Sequence, residues 1–183
     1  MDLREYHHAA LRTAKMFATQ AENLNHAALG LVTECFEVES AKSLHHISEE
    51  LADVMWYVVL AAATFKMNVA DLIHPEFETT QQWLDSGPEF NVQHKKALGA
   101  FVTFVKRVHV YGKTPTPEML ADAVNDLRTL ARWVAVLARI HGLDFELVLD
   151  NNIKKLRKRY PEAYSDAAAE ARADKGGLDA RVS

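Results

Sequence analysis

The chain has 183 residues, about half of them apolar and a quarter charged, with a formal charge of −4 and a single cysteine. That is enough for one domain with a substantial core, and it excludes a nucleic-acid binder working through an overall basic surface, though not one with a local basic cluster. Cys35 alone makes no intrachain disulfide, Met1–Glu5 lacks the apolar core of a secretion signal, and the longest apolar run, Val54–Phe65, is too short to span a bilayer; a cytoplasmic protein with no membrane or nucleic-acid partner is expected.

Few Gly and Pro residues, with much Ala, Leu, Val, Glu and Lys, lean the chain toward helix. Leu3, Tyr6, Ala10, Thr13 and Phe17 recur at helical spacing behind Asp2 as N-cap, predicting a first helix from Leu3 to about Phe17. A polar turn, Gln20–Asn25, leads into a second helix from about His26 to Lys42. The third starts at Ser43 or Ser48 and ends before Asn68, which caps a short turn over Val69–Ile73. His74–Asn91, with Pro75 and Ser86-Gly87-Pro88, has no clear period and reads as a loop holding at most one short helix around Thr80–Leu84. A fourth helix spans about Val92–Tyr111 and stops at Gly112. Thr116-Pro117-Glu118 is a strong start signal for a fifth, which continues to His141 before Gly142. Asp144 caps a sixth helix to about Lys158, closed by Tyr160-Pro161. No segment reads as a strand. The expected fold is an all-α multi-helix bundle, with residues 1–162 as one domain and 163–183 as a tail, poor in core-forming residues, that is mobile or docks on a neighbour.

Two acid pairs stand out, each with a spacing that puts both members on one helix face. Glu34 and Glu37 share a stripe of the second helix with Ala27, Gly30 and Ala41, all small, while Leu29, Val32, Cys35 and Phe36 lie on the other side. Glu50 and Asp53 share a stripe of the third helix with Tyr57 and Ala61, and the rest of that helix (Met55, Trp56, Val58, Val59, Leu60) is apolar all round, the mark of a buried helix. An arbitrary pair of glutamates three apart usually faces water, but this helix has little polar face to offer it. Four carboxylates in an apolar setting repel unless cations sit between them. All-oxygen ligation, with no His or Cys at ligand spacing, selects Mg²⁺, with Mn²⁺ as substitute, over Zn²⁺. Glu39 and Glu49 fall off both stripes and read as surface acids.

Near the C-terminus, Lys155 and Arg159 are four apart in a basic helix end, Lys154–Arg159. Such an end is ordinarily a solvated complement to the helix dipole. Beside a divalent-ion site in an acidic chain it also suits a polyphosphate, whose oxygens call for metal plus Lys or Arg. No GxxxxGK[ST] loop is present, so phosphate binding of the P-loop kind is not expected. A faded repeat is one further reading: Leu29-Gly30 and Thr33 resemble Leu98-Gly99 and Thr103, and Glu50–Asp53 lines up with Ala123–Asp126. Its competitor is the ease with which Ala/Val/Leu-rich helices match by chance.

Glu34-Cys35-Phe36-Glu37 with Glu50-Leu51-Ala52-Asp53 and the following Val54–Val58 resembles the ExxE…ExxD signature of the MazG-like all-α nucleoside triphosphate pyrophosphohydrolases. Asn152–Pro161 resembles that family's N-I-x-K-L-x-x-R-Y-P ending, and Tyr6, Thr13 and Ala27–Leu31 resemble its opening. The likeness covers Leu3 to about Phe65 and Leu143 to Pro161. Members often have Gly where this chain has Phe36 and Ala52, and Pro75–Lys113 lies outside the usual minimal core.

The resemblance implies a bundle of that type, with a degenerate second helix pair as in the related dimeric dUTPases. It also implies cleavage of a (d)NTP to the monophosphate and pyrophosphate. Glu34, Glu37, Glu50 and Asp53 would hold Mg²⁺, with Glu34 or Glu37 also orienting or deprotonating the attacking water. Tyr57, Asn152, Lys155 and Arg159 would bind phosphate or sugar, and the protein would be a homodimer or homotetramer. His8, Phe17 and Trp56 are candidates for stacking on the base, each against a plain core or surface role. Two other readings stay open: a non-catalytic nucleotide- or partner-binding helical protein, and a di-iron carboxylate bundle, for which only one ExxH pair, Glu5–His8, is present.

Overall fold

Most of the helices begin where a side chain takes over an orphan backbone N–H, a contact worth about 1 kcal/mol per cap. The computed structural model describes residues 1–73 and 88–172, and no strand occurs among them. α1 (Leu3–Leu11) starts in a reciprocal capping box between Asp2 and Glu5, and α2 (Gln20–Ser40) in another between Thr19 and Glu22. α3 (Leu44–Thr64) is capped by Ser43, and Asn68 caps the 3-10 turn Val69–Asp71. α4 (Pro88–Val105) runs on into a π turn, Lys106–Val110, and Thr116 caps α5 (Pro117–Ile140). Asp144 caps α6 (Phe145–Arg159), and Ser165 caps a short α7 (Asp166–Ala171). Gly112 and Gly142 end the long helices with φ of +60° and +68°, a conformation glycine adopts without strain.

Three helix boundaries differ from the sequence expectation. α1 stops at Leu11 rather than Phe17, because Thr13 and Ala14 turn the chain through hydrogen bonds back to Ala10 and Leu11. α2 starts at Gln20: the stretch read as a polar turn is its first turn, stabilised by the Thr19–Glu22 box. α4 begins at Pro88, four residues before Val92, since proline needs no hydrogen-bond donor in a first turn. Part of the tail is helical and docks on its own chain. The expected short helix at Thr80–Leu84 lies outside the described residues.

α3 is apolar on all sides because it is the central helix. Leu51, Val54, Met55, Val58, Val59, Leu60 and Ala61 are each at most 1% exposed. α2, α5, α6 and α1 pack around it, and α4 covers α2 and α5. The chain thus contains two helix hairpins, α2–α3 and α4–α5, that face each other. Glu39 near the end of α2 pairs with Lys95 (2.8 Å) near the start of α4, so those two helices run antiparallel. α6 lies against both α3 and α5, and α1 against α3 and α6.

Candidate metal centre

The three-residue connector 41–43 makes α2 and α3 antiparallel neighbours, and their facing seam carries the acids. Glu34 stands about as far back along α2 from that connector as Glu50 does forward along α3, so the two meet, with Asp53 a turn further on. One carboxylate oxygen from each of Glu34, Glu50 and Asp53 lies within 4.8 Å of the others. Glu37 faces the same cavity from an exposed position but stands outside that cluster.

Asp53 is held on both oxygens. Asn152 Nδ2 donates to Oδ1 at 2.7 Å and Lys155 Nζ donates to Oδ2 at 2.5 Å. The Asn152 Oδ1 in turn accepts from the Tyr6 hydroxyl (3.0 Å), which also donates to the Ala52 carbonyl (3.2 Å). Tyr6 is fully buried, and burial followed by the Asp53 charge pushes its hydroxyl pKa well up, so it stays a donor. Asn152, 3% exposed and not among the cavity-lining residues, is therefore turned to the carboxylate rather than to the open space.

The acids crowd one another. Burial, then the charges of Asp53 and Glu37, pushes the Glu34 carboxyl up to about 8, and Glu34 and Glu50 share a hydrogen bond. Glu50 is raised as well, by burial first and Asp53 second. Its Oε1 is 3.0 Å from His46 Nε2, one turn back on α3. Tyr57 lies with its ring flat on α2 at Gly30, where any Cβ would overlap ring carbons. Its hydroxyl is pushed up to about 12 by burial, then by Glu34 and Asp53.

The cluster opens into a cavity of about 1080 Å³. Lys155, Lys158 and Arg159 line it from α6, and His26, Trp56, Tyr57 and Tyr160 form an aromatic part beside Thr13 and Lys15. The rings there meet edge to face: His26 with Tyr57 (5.6 Å between centroids) and with Trp56 (6.0 Å), and Trp56 with Tyr57 (4.8 Å). Trp56 Nε1 donates to Thr13 Oγ1 at 3.0 Å.

Of the residues singled out in the sequence, Glu34, Glu37, Glu50, Asp53, Tyr57, Lys155, Arg159 and Trp56 all line this one cavity. Phe17 sits outside the lining, edge-on to His26 at 5.5 Å. His8 is elsewhere, exposed and edge-on to His7. Sequence reasoning missed His46, whose signal was its position four before Glu50. It also missed His26, Lys158, Tyr160, Tyr164 and Arg172, which reach the cavity only through packing.

Three carboxylates with this spacing, with burial and mutual repulsion raising Glu34 and Glu50 and only Asp53 paired with a lysine, are an oxygen donor set that a metal ion would suit. Those residues could hold a metal ion. Comparison with known proteins adds nothing to this geometry: no family model, no curated protein and no solved structure matches the chain significantly. No helix among the described residues is long and apolar enough to cross a membrane.

Proposed function

We propose that this chain is a Mg²⁺-dependent pyrophosphohydrolase that adds water across the α–β anhydride of a (d)NTP, releasing (d)NMP and pyrophosphate. The observation that carries this is the joining of the Glu34–Glu50–Asp53 cluster to the Lys155–Lys158–Arg159 wall in one cavity large enough for a nucleotide. Neither half alone suggests phosphoanhydride chemistry; a carboxylate metal cage facing a basic wall does.

Glu34, Glu50 and Asp53 would hold the ion, which when bound would polarise phosphate oxygens and make water more acidic. The chain's own residues do the rest. Glu37, exposed beside the cage, takes the proton of the attacking water. Glu34, raised to about 8 and hydrogen-bonded to Glu50, would give up its proton on metal loading, so loading would release protons near neutral pH. Lys155 and Arg159 offset phosphate charge, and the neutral Tyr57 hydroxyl donates to a phosphate oxygen. Asn152, expected from the resemblance to touch phosphate or sugar, instead positions Asp53, with Tyr6 positioning Asn152. Trp56 offers a face for the base, and a homodimer or homotetramer is the proposed assembly.

The test is pyrophosphate release across the common NTPs and dNTPs with and without Mg²⁺: release from at least one, lost on chelation, is expected, and none from any would reject the reading. One observation favours a non-catalytic binder. Lys155 and Asn152 occupy both Asp53 oxygens, as they would if the acids served structure alone. Such a protein would retain nucleotide in equilibrium dialysis without releasing pyrophosphate. The di-iron reading loses its ExxH pair, since the Glu5 carboxylate is committed to the α1 cap and His8 is exposed on that helix.

A further inference from the structure

The segment after α6 is not a loose end. Its root is fixed where Arg12 Nη1 donates to the carbonyls of Pro161 and Glu162, and where the Tyr164 N–H donates to the Arg12 carbonyl at 3.2 Å. Its outer part is pinned by Lys15, whose Nζ reaches Asp166 Oδ1 at 2.6 Å. The same carboxylate oxygen accepts from the Tyr164 hydroxyl at 2.7 Å, and the Lys15 ammonium lies 5.6 Å from the Tyr164 ring centroid. Tyr164, Ala169 and Arg172 of this strap, and Lys15 itself, all line the cavity that holds the acid cluster.

Two features separate the strap from a fixed wall. Its latch is an exposed ion pair, with side chains 40% and 70% accessible, and pairs of that kind contribute little to stability. Its helix, α7, has no fully buried residue; Ala168 and Ala169 are only partly buried against the core. A strap held so lightly gains stability from anything that touches it in the docked state.

We propose that the strap Tyr164–Arg172 is part of the substrate site: it contacts the nucleoside end of a bound nucleotide through Tyr164 and Arg172, and the Lys15–Asp166 pair latches it. The inference rests on the nucleotide reading above. With phosphates taken by the acid cage and the α6 cations, the sugar and base extend toward the aromatic part, where Lys15, Tyr160 and Tyr164 meet. A phenol and a planar guanidinium are groups that stack on a base and hydrogen-bond its edge. Asp166, which does not line the cavity, is then a positioning residue that acts through Lys15 and Tyr164.

The experiment uses the full chain with Mg²⁺ and two kinds of probe: α,β-imido analogues of the four common dNTPs, and inorganic tripolyphosphate. Hydrogen exchange of the 164–172 amides is followed alongside calorimetric affinities for wild type, Asp166→Lys and Arg172→Ala. Expected are slower exchange of those amides with a bound analogue but not with tripolyphosphate, and an analogue affinity about 5- to 10-fold weaker in each variant. Tripolyphosphate affinity stays within about 2-fold in Asp166→Lys, because the latch does not touch phosphate. Strap exchange unmoved by a bound analogue, or Asp166→Lys weakening both probes equally, would overturn the proposal while leaving the nucleotide reading intact. Failure of the wild type to bind any analogue would remove both. The wild-type exchange result decides the matter even if a variant does not fold.

Discussion

The two helix hairpins of this chain are built alike and equipped differently. In α2–α3 the seam carries Glu34, Glu50 and Asp53; in the second hairpin Ala123 and Asp126 stand where the sequence lines up with Glu50 and Asp53, and the stretch running from α4 into Lys106 and Arg107 of its π turn carries no acid pair. Gly30 lets the Tyr57 ring lie on α2, whereas a Cβ on Gly99 would meet open space. Asp53 has Asn152 and Lys155 on its two oxygens, while no cation among the described residues pairs with Asp126, whose carboxyl is pushed up to about 6 by burial and then by Asp122. A helix pair therefore makes a charged centre only where a third element brings the complementary groups. Here that element is α6, which sets Asn152 and Lys155 against α3.

The comparison breaks most visibly at its two aspartates. Asp53→Asn should lower Mg²⁺-dependent pyrophosphate release about 1,000-fold or more with helical circular dichroism unchanged, while Asp126→Asn leaves turnover within about 2-fold. Equal losses would mean that both hairpins are active. Asn152→Ala, which frees Asp53 Oδ1 without touching the cavity, should weaken Mn²⁺ binding by about 10- to 100-fold in calorimetry. Unchanged affinity would show that Lys155 alone fixes the carboxylate.

The glycines give a smaller and opposite pair of effects. Gly30→Ala forces Tyr57 off α2 and should cost about 1–3 kcal/mol in urea unfolding. Gly99→Ala, exposed on α4 with room for a methyl group, should add about 0.5–1 kcal/mol through helix propensity.

The smallest effect is in the pH dependence. Glu34 and Asp126 both have folded-state pKa values above their ordinary ones, about 8 and about 6. The folded state then binds more protons than the unfolded, so stability present at acid pH is lost as pH rises, through about 6 for Asp126 and about 8 for Glu34. Denaturant midpoints in metal-free buffer should fall across that window. Saturating Mg²⁺ should remove the upper part of the fall, and Asp126→Asn the lower part, worth about 1 kcal/mol after allowance for solvent screening. A midpoint flat from pH 4.5 to 8 would contradict both assignments.

Local chemistry was readable along the chain. Asp2, Ser43, Asn68, Thr116 and Asp144 announce helix starts because a cap is a hydrogen bond between residues two or three apart. Thr19–Glu22 obeys the same rule, but its polar run looked like a turn, and the burial of Asn23 and Leu24 on its inner face adds to the cap in making it helix. The acid stripes were legible from helical spacing, and so was His46, had the i−4 position been weighed. The role of Asn152 was not, because an amide looks the same in sequence whether it meets a ligand or a carboxylate from a helix ninety-nine positions away.

The sequence by itself determined an all-helical chain, the start of most helices, and which face of α2 and α3 carries the acids, since periodicity and capping act within a turn or two of helix. Tertiary structure decided which three carboxylates converge, that α6 supplies the groups holding Asp53, and that the segment beyond Pro161 folds back against the cavity. Those contacts join residues up to about 150 positions apart, and they depend on how buried faces select their neighbours, which no local pattern records.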